Sequence, residues 1–486
     1  MTQTYDVTII GGGIIGTTIA RTLSKHKLNV ALLEKANDVA MGSTKANSAI
    51  VHGGYAESHS KLKGRVCYQG RKMFPQLDKE LHFGFKPIGS LVLAFNDSDK
   101  PGLEKLYENG KLNGLPDLEI IDKERIIKME PSINPSVKWA LYCKGAGVCS
   151  PYEMAIAMME NAITNGVELF LNSEVCGISK TKNFEIKTTS GKTFNSKFVV
   201  NAAGVNADKI AKMCNAGDFS ITPRSGEYIL FEPGAPPKID HVLFQMPTKM
   251  GKGILVTPTV YGNLMVGPDA IDDNKNDLDT HVNRLYNIFD QSRLTTDKTN
   301  IHKFLRSFAG TRSVSSTDDF IIEMSRPGFV NAAGIQSPGL TSSPAIAELV
   351  KDILNKNGLP LEENRNFNPN RKPTYKEHPP IKPKVVKELA KLPEGTPNRI
   401  VCRCEQVYEE AIRDAATRGI PITSVDAIKR RTRAGMGVCQ GKFCIPRTAS
   451  ILSNIANQKV TLNTDIEDQK VKRVNRKEMI EYYKKQ

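Results

Sequence analysis

Four of the nine cysteines in this 486-residue chain stand in two close pairs towards its C-terminal end. Cys402 and Cys404 are one residue apart, and Cys439 and Cys444, with four residues between them, follow after 34 intervening residues. Four thiolates suit either a structural zinc ion or a [2Fe–2S] cluster. Zinc pairs usually have two to four residues between the cysteines, so the one-residue spacing favours the cluster.

A glycine-rich turn near the N-terminus predicts a dinucleotide-binding site. The apolar run YDVTII is typical of a buried parallel strand, GGGIIG follows, and the next residues predict a helix. In this G-x-G-x-x-G pattern, Gly11 makes the tight turn and Gly13 lets a pyrophosphate approach the backbone. Gly16 lets the helix and the strand pack closely. The helix N-terminus then presents free N–H groups to the phosphates.

An acidic residue ends the second predicted strand, LNVALLEK. Glu34 stands 21 positions after Gly13, where a carboxylate can accept hydrogen bonds from a ribose diol. The order strand, turn, helix, strand and acid is far more specific than the glycines alone. These residues therefore predict a site for FAD or NAD.

Three later stretches favour FAD. The segment 42–55 is rich in small and hydroxyl residues, and 198–204 and 328–334 are apolar strands that end in nearly identical NAAG turns. Such turns let a large flat cofactor lie against the backbone. A helix is predicted to begin around Ser342 to Pro344, where its N-terminus can stabilise negative charge on a reduced flavin.

These motifs resemble the D-amino-acid-oxidase-like superfamily of FAD-dependent oxidoreductases. Within it, roughly residues 3 to 350 look most like the anaerobic FAD-dependent glycerol-3-phosphate dehydrogenases, and they are similar to L-2-hydroxyglutarate dehydrogenases too. The resemblance implies an α/β fold, with a Rossmann-like FAD-binding domain and an inserted antiparallel-sheet substrate domain. A small helical four-cysteine domain follows at the C-terminus.

The resemblance also implies which residues contact the cofactor. It places the FAD pyrophosphate at the glycine turn and the adenosine ribose at Glu34. Val175, which ends the predicted strand VELFLNSEV, corresponds to a residue whose backbone contacts adenine. The residues implied for the rest of the cofactor are Ser43, Thr44, Asn47, Ser48, Gly204, Gly334, Gly339 and Leu340.

His52 and Arg312 are the predicted catalytic residues. Oxidation of a secondary alcohol needs a base for the hydroxyl proton while a hydride goes to the flavin, and histidine is the usual base. His52 stands where the family has its active-site histidine; a structural histidine below the flavin is the alternative. An anionic substrate, a phosphate or a carboxylate, is expected, and Arg312 matches the family's substrate-binding arginine, with Arg306 as a second option. Tyr55 and Tyr228 are further candidates for substrate contact.

The cysteine-rich segment resembles the bacterioferritin-associated-ferredoxin-like [2Fe–2S] domain. CRCE and GMGVCQGKFC carry this resemblance, although the second pair is spaced as in the form appended to flavoenzymes and not as in the small ferredoxin. It implies that Cys402, Cys404, Cys439 and Cys444 hold the cluster. A two-electron flavin beside a one-electron cluster would convert a hydride into single electrons.

Positive charge is concentrated near the C-terminus. The chain has a net charge of +15, and residues 371–486 contain 25 Lys and Arg against 13 Asp and Glu. The basic tail is predicted to contact an acidic electron acceptor or a negatively charged membrane surface, or to be merely a solvated surface. Without a recognised nucleic-acid module, nucleic acid is not expected as a partner.

The predicted function is oxidation of sn-glycerol 3-phosphate to dihydroxyacetone phosphate, with electrons passing through the cluster to an acceptor protein or quinone. L-2-hydroxyglutarate dehydrogenase, an amine or amino-acid oxidoreductase, and a non-catalytic electron-transfer subunit are the alternatives; a partner subunit is left open.

With no export signal and no apolar run of roughly 20 residues, a cytoplasmic location is expected. The predicted domains are 1–365 for FAD and substrate (with substrate segments 78–145 and 215–325), a Pro-rich basic linker 366–397, the cluster domain 398–456 and the basic tail 457–486.

Overall fold

Two large β-sheets form the body of the molecule, and a small helical unit carries the paired cysteines. The computed structural model describes residues 4–246, 253–272, 277–374, 380–457, 460 and 471–486. Its strands are β1 (Thr4–Ile10), β2 (Val30–Leu33), β3 (Ile50–Val51), β4 (Ser90–Ala94), β5 (Leu118–Asp122), β6 (Trp139–Cys143), β7 (Gly147–Val148), β8 (Glu168–Phe170), β9 (Val175–Lys180), β10 (Phe184–Thr188), β11 (Thr193–Asn201), β12 (Ile221–Pro233), β13 (Val242–Gln245), β14 (Leu255–Pro258), β15 (Asn263–Gly267), β16 (Ile271–Asp272), β17 (Phe304–Ser315), β18 (Ile321–Arg326), β19 (Phe329–Ala333), β20 (Ile400–Cys402) and β21 (Val407–Tyr408). Its α-helices are α1 (Ile14–Ser24), α2 (Leu62–Arg71), α3 (Phe74–Leu81), α4 (Lys100–Leu112), α5 (Lys123–Met129), α6 (Pro151–Thr164), α7 (Ala207–Lys212), α8 (Val282–Ser292), α9 (Gly339–Lys356), α10 (Pro383–Leu389), α11 (Glu409–Ala416), α12 (Val425–Thr432), α13 (Cys444–Ala456) and α14 (Arg476–Tyr483).

The first sheet confirms the predicted Rossmann-like domain. Its order is β8–β2–β1–β11–β19–β18, parallel except for β18, and β9 and β10 extend β11 as an antiparallel meander. Helices α1, α6 and α9 pack together through a core that includes Ile19, Met158 and Ile346, all at most 1% exposed. Strands β2 and β19 consist entirely of buried residues, as expected for strands in the interior of a largely parallel sheet.

Two predicted boundaries in this domain, one of a strand and one of a helix, are wrong. Val175 begins strand β9 instead of ending a strand, because Asn172 adopts a φ of 51° and breaks the run VELFLNSEV. Helix α9 begins at Gly339, so Pro344 lies inside it. A proline there leaves the Leu340 carbonyl without its helical donor, and the Ser343 hydroxyl donates to that oxygen at 2.9 Å instead.

The strands of the second sheet come from the predicted substrate segments 78–145 and 215–325, although the end of the later segment, from Ile321, belongs to β18 of the first sheet. The order of the second sheet is β16–β12–β15–β14–β13–β4–β6–β5, with β17 on the other side of β12. The pairings are antiparallel except for β4 with β13, which run parallel. The 13-residue β12 and the 12-residue β17 pair from Ile221 with Ser315 to Phe231 with Phe304, which is the longest antiparallel pairing of this sheet.

The C-terminal unit has its own small core. The hairpin β20–β21 and helices α11, α12 and α13 bury Val401, Ile412, Ile428 and Ile451 together. Helix α10, inside the segment predicted to be a linker, packs Val386 against this unit near β20. The linker residues 375–379 lie outside the described residues.

The end of the chain returns to the body. Helix α14 packs on α8, where Met479 is fully buried and the Phe289 and Tyr483 rings meet edge to face at 5.7 Å. Residues 458–459 and 461–470 of the predicted basic tail lie outside the described residues. Among the helices that the structure describes, none combines the length and the apolar character needed to cross a membrane.

Candidate active site and cluster site

A cavity of about 1400 Å³ lies between the two sheets and the C-terminal unit. It exceeds the roughly 300–1,000 Å³ of most small-molecule sites, as a dinucleotide requires. The predicted residues that line it are Gly11, Gly13, Glu34, Ser43, Thr44, Asn47, Ser48, His52, Val175, Gly204, Arg312, Gly339 and Leu340. Gly16 and Gly334 are not among the lining residues, and their contacts are with neighbouring chain segments.

The glycine turn is held by close backbone packing. Gly11 has a φ of 111°, and a Cβ atom there would lie 2.4 Å from the Ala202 carbonyl oxygen. At Gly16 a Cβ atom would lie 1.9 Å from the Gly11 carbonyl oxygen, so any side chain would push α1 away from the turn. Gly13 precedes α1 and borders the cavity, which leaves the N-terminal turn of the helix facing the space a pyrophosphate would take.

Glu34 is fixed in place by backbone donors. Its Oε2 accepts from the Gly12 N–H at 2.6 Å, and its Oε1 accepts from the Ala36 N–H at 2.8 Å. The residue is 8% exposed and borders the cavity. A carboxylate held in this way fits a ribose diol, so the glycine turn and Glu34 together fit the nucleotide half of FAD.

The loop after β2 is organised by two side chains. The Thr44 hydroxyl accepts from the Ile14 N–H at 3.0 Å and so caps α1. The Asn47 amide donates to the carbonyl oxygens of Ser43 and Thr44 at 3.1 and 2.9 Å. Ser48 lies at the far end of the loop, with its Oγ 3.2 Å from the Tyr228 hydroxyl of β12. The loop therefore links the nucleotide end of the cavity to the second sheet.

His52 follows β3 and faces the same cavity. Its backbone N–H donates to Thr341 Oγ1 at 2.8 Å, which ties it to the start of α9. Its Nε2 lies 3.2 Å from Ser337 Oγ, and its ring packs on Phe244 at 5.9 Å between centroids. Sequence reasoning missed Ser337, Thr341 and Phe244 as supports of this ring, since they lie 192 or more residues away and belong to no motif near it.

Arg312 lies on β17, directly across from Arg224 on β12. The Arg224 guanidinium forms an ion pair with Asp272, whereas no described carboxylate pairs with Arg312. Four positions further along the same pair of strands, the rings of Tyr228 and Phe308 stack at 4.7 Å with planes 8° apart. Arg312 therefore carries a positive charge to the cavity wall where an anionic substrate can use it.

Not all of the other residues predicted to contact the substrate line the cavity. Tyr228 borders the cavity, but Tyr55 does not: it is 4% exposed and its hydroxyl lies 3.2 Å from Ser90 Oγ. Burial raises the pKa of Tyr55. Arg306 borders the cavity near the loop from Cys439 to Cys444, which we call the cysteine loop, with its Nη1 3.5 Å from Gln440 Oε1. Tyr228 lies on the same pair of strands as Arg312, four register positions away.

The four paired cysteines come together across the C-terminal unit. The thiols of Cys402 and Cys444 are within hydrogen-bonding reach of each other, and so are those of Cys404 and Cys439. The Cys444 thiol and the backbone N–H groups of Gly435 and Glu405 lower the pKa of Cys402. Within the described part of the chain no three such side chains converge on one point as a single metal ion would require. Two pairs of thiolates instead fit a two-iron cluster.

Basic side chains surround the part of the cavity next to the cysteine loop. Lys429 and Arg430 of α12, Arg306 of β17 and Arg473 of the tail all border it. Burial and the charges of Arg306, Arg430 and Arg473 lower the pKa of Lys429 to about 8. This end of the cavity is therefore strongly electropositive, and Arg473 shows that part of the basic tail is folded into the molecule.

Asp38, in the loop after β2, joins that loop to the C-terminal unit. Its carboxylate accepts from Arg430 Nη2 at 2.8 Å and from both terminal nitrogens of Arg431 at 2.8 and 2.9 Å. Asp38 is 1% exposed. Burial opposes its ionisation, but the charges and hydrogen bonds of Arg431 and Arg430 outweigh burial and hold the pKa of Asp38 well below its usual range.

Glu153 lies at a second contact between the same units. The Tyr261 hydroxyl donates to the Glu153 carboxylate, and the Arg433 guanidinium lies 3.7 Å over the Tyr261 ring. Arg433 Nε also donates to Glu405 Oε2 at 2.6 Å, beside Cys404. Burial raises the pKa of Glu153 to about 7, against the opposing effects of Tyr261 and Arg433.

Comparisons with known proteins agree with this arrangement. Residues 6–353 match the model of the FAD dependent oxidoreductase family, DAO, and residues 400–454 match the BFD-like [2Fe-2S] binding domain. The chain is 46% identical to a glycerol 3-phosphate dehydrogenase of Caloramator mitchellensis over 455 residues, which cover 92% of this chain and 94% of that protein.

Two further relatives share the body of the chain. The structure of L-alpha-glycerophosphate oxidase from Mycoplasma pneumoniae with FAD bound is 32% identical and superimposes with a TM-score of 0.73, covering 76% of this chain and 98% of that one. The human mitochondrial L-2-hydroxyglutarate dehydrogenase is 29% identical over 287 residues, or 56% of this chain and 62% of that protein.

Proposed function

Because residues 6–353, well over half of the chain, match the FAD dependent oxidoreductase model, the chain belongs to that family, and we propose that it oxidises sn-glycerol 3-phosphate to dihydroxyacetone phosphate. FAD and a [2Fe–2S] cluster are its cofactors, as the sequence predicted. The observation that carries the proposal is that His52 and Arg312 face the same cavity as the glycine turn. The identity of 46% to a glycerol 3-phosphate dehydrogenase supports this choice of substrate.

In this proposal FAD, when bound, supplies the acceptor for the hydride of the substrate carbon. Arg312 binds the phosphate through its guanidinium N–H groups, because no described carboxylate neutralises it. Nε2 of His52 accepts the proton of the substrate hydroxyl. The Ser337 hydroxyl, 3.2 Å from Nε2, can hydrogen-bond to the ring in either protonation state.

In this proposal the body of the chain and its C-terminal unit have different roles. We assign FAD and substrate to residues 1–365 and the cluster to residues 398–456, with Cys402, Cys404, Cys439 and Cys444 as its ligands. The electrons of one substrate leave the cluster singly, for a carrier protein or a quinone. A cytoplasmic location belongs to this proposal.

The test is an anaerobic absorbance titration of the purified enzyme with glycerol 3-phosphate and, separately, with L-2-hydroxyglutarate. Bleaching of the flavin by the first compound is the expected result. A carboxylate also fits a single arginine, and a 29% identical relative is named for L-2-hydroxyglutarate, so that compound is the second candidate. Bleaching by L-2-hydroxyglutarate alone would overturn the proposal.

Two variants separate the assigned roles. His52→Asn should slow flavin reduction at saturating substrate by about 10²- to 10⁴-fold, as loss of a general base does. Arg312→Met should lower kcat/KM by about 10- to 100-fold, mostly through KM, because a charge-assisted contact to the phosphate is lost. Arg224→Met is the matched control on the neighbouring strand, since Arg224 is already paired with Asp272. Equal losses in Arg312→Met and Arg224→Met would contradict the role of Arg312.

A further inference from the structure

The loop that holds the second pair of cysteines presents large apolar side chains to solvent. Phe443 is 72% exposed and Val438 is 57% exposed, and both stand next to a cysteine in the sequence. Phe443 is the most exposed large apolar side chain in the described ranges. An exposed aromatic side chain is unfavourable in water and is typical of the centre of a protein interface.

The same surface carries basic residues and an exposed cysteine. Arg403 and Lys442 are exposed, and neither forms an ion pair with a described carboxylate. Cys404 is exposed as well, whereas Cys402 and Cys444 are buried. The carboxylate closest in sequence, Glu405, points inward to Arg433. We call the group Arg403, Cys404, Val438, Lys442 and Phe443 the cluster-loop patch.

Contacts within the loop bring this patch together. A Cβ atom at Gly437 would lie 2.4 Å from the Cys404 Cβ atom, so the two cysteine segments touch there. The Lys442 N–H donates to the Cys439 carbonyl at 3.3 Å, which folds the loop back on itself. Each member of the patch therefore stands within two residues of one of the four paired cysteines.

We propose that the cluster-loop patch is the docking surface for an acidic electron-carrier protein, which receives electrons from the cluster. Phe443 and Val438 would form the apolar centre of the contact, and Arg403 and Lys442 would attract carboxylates at its rim. Each reduced cluster gives one electron to one oxidised carrier, so one substrate oxidation reduces two carriers. The assignment rests on the proposed function, which supplies those electrons.

Charge decides which partner fits. A second copy of this chain would bring a net charge of +15 against another, which opposes pairing through a basic rim. The basic tail, predicted from the sequence as the docking element, is a weaker candidate because its helix α14 packs on the body and it contains none of the four paired cysteines. Arg476 donates to the Phe304 carbonyl at 2.6 Å and pairs with Glu232, and Met479 is fully buried.

The experiment uses oxidised rubredoxin, a small acidic one-iron protein, as the acceptor. The holoenzyme is reduced anaerobically with a measured equivalent of dithionite, so electron supply does not depend on any substrate, and rubredoxin bleaching is followed by stopped flow. The double variant Arg403→Glu/Lys442→Glu should lower the second-order rate constant at low salt by about 10-fold or more and remove its salt dependence. Phe443→Ser should lower the rate with the salt dependence kept.

Matched controls lie on α4 and α9, outside the C-terminal unit. Lys105→Glu/Lys356→Glu reverses two exposed charges elsewhere, and Leu112→Ser removes a side chain that is 67% exposed. Rates in the patch variants equal to those in these controls would overturn the proposal. A wild-type dimer lost in Phe443→Ser would assign the patch to a second copy, and binding to anionic vesicles lost in the double variant would assign it to a membrane. Failure of glycerol 3-phosphate to bleach the flavin would overturn the substrate alone, because dithionite bypasses it.

Discussion

Asp38 and Glu153 are both buried near arginines of the C-terminal unit, but the pKa values of their carboxyl groups shift in opposite directions. Asp38 receives three hydrogen bonds from two guanidinium groups, and its pKa is lowered. Glu153 accepts a hydrogen bond from the Tyr261 hydroxyl, and the Arg433 guanidinium lies over the ring of that tyrosine. Burial acts on both groups, so the contacting partner decides the direction of the shift.

The opposite shifts give opposite dependences of stability on pH. A lowered pKa at Asp38 stabilises the fold above about pH 4, and this contribution is lost as the pH falls below the usual value of 3.8. At Glu153 the folded protein holds a proton that the unfolded chain releases. That contribution is complete below pH 4.5 and is lost as the pH rises through about 7.

The largest effect is expected from Asp38→Ala. The substitution leaves two arginines buried without their carboxylate, which should cost about 3–5 kcal/mol of unfolding free energy. Urea unfolding followed by circular dichroism measures this loss. Asp97→Ala, which breaks an ion pair on the surface, is the control and should leave the midpoint unchanged. Equal urea midpoints for the two variants would show that the contacts of Asp38 contribute no more to stability than the surface ion pair of Asp97.

A change in pH profile is expected from Glu153→Gln. The wild-type protein should lose up to about 3 kcal/mol of stability between pH 4.5 and 7 from this group alone, since one pKa unit corresponds to about 1.4 kcal/mol. Glutamine cannot release a proton, so the variant should be flatter in this window while the acid limb below pH 4 stays. Thermal midpoints across the pH range test this, and an unaltered slope would refute it.

The smallest effect is expected from Tyr261→Phe. Removing the hydroxyl deletes one hydrogen bond to Glu153, at a cost of about 1 kcal/mol, while the ring remains under Arg433. Because that bond favours the ionised carboxyl, the stability loss with rising pH should move to higher pH. A shift of this stability loss to lower pH would instead mean that the Tyr261 hydroxyl stabilises the protonated form of Glu153.

Residues close in sequence made the nucleotide end predictable. The spacing of Gly11, Gly16 and Glu34 is set by one strand, one turn and one helix, and their contacts follow from that local geometry. The errors were local too: Asn172 in a left-handed conformation moved Val175 to the start of a strand. A left-handed asparagine inside an apolar run leaves little trace in composition.

Contacts between distant segments could not be predicted in the same way. Asp38 and Arg431 are 393 positions apart, and nothing in either segment specifies the other. The support of His52 by Ser337 likewise depends on how the residues just before α9 pack against the residue that follows β3, 285 positions away in the sequence. The cysteine pairs were found because four thiols in one segment are a chemical signal, but the exposure of Phe443 required the folded loop.

The separation between Asp38 and its arginines has a consequence for biosynthesis. A ribosome adds Asp38, in the loop after β2, 392 residues before it adds Arg430. Until then Asp38 has no arginine partner from this unit, and the loop cannot be closed by it. Domains that fold during translation usually do so in order from the N-terminus. Here roughly four-fifths of these 486 residues separate Asp38 from Arg430 and Arg431, so the contact that joins this loop to the C-terminal unit is absent from the N-terminal part of the chain when that part folds.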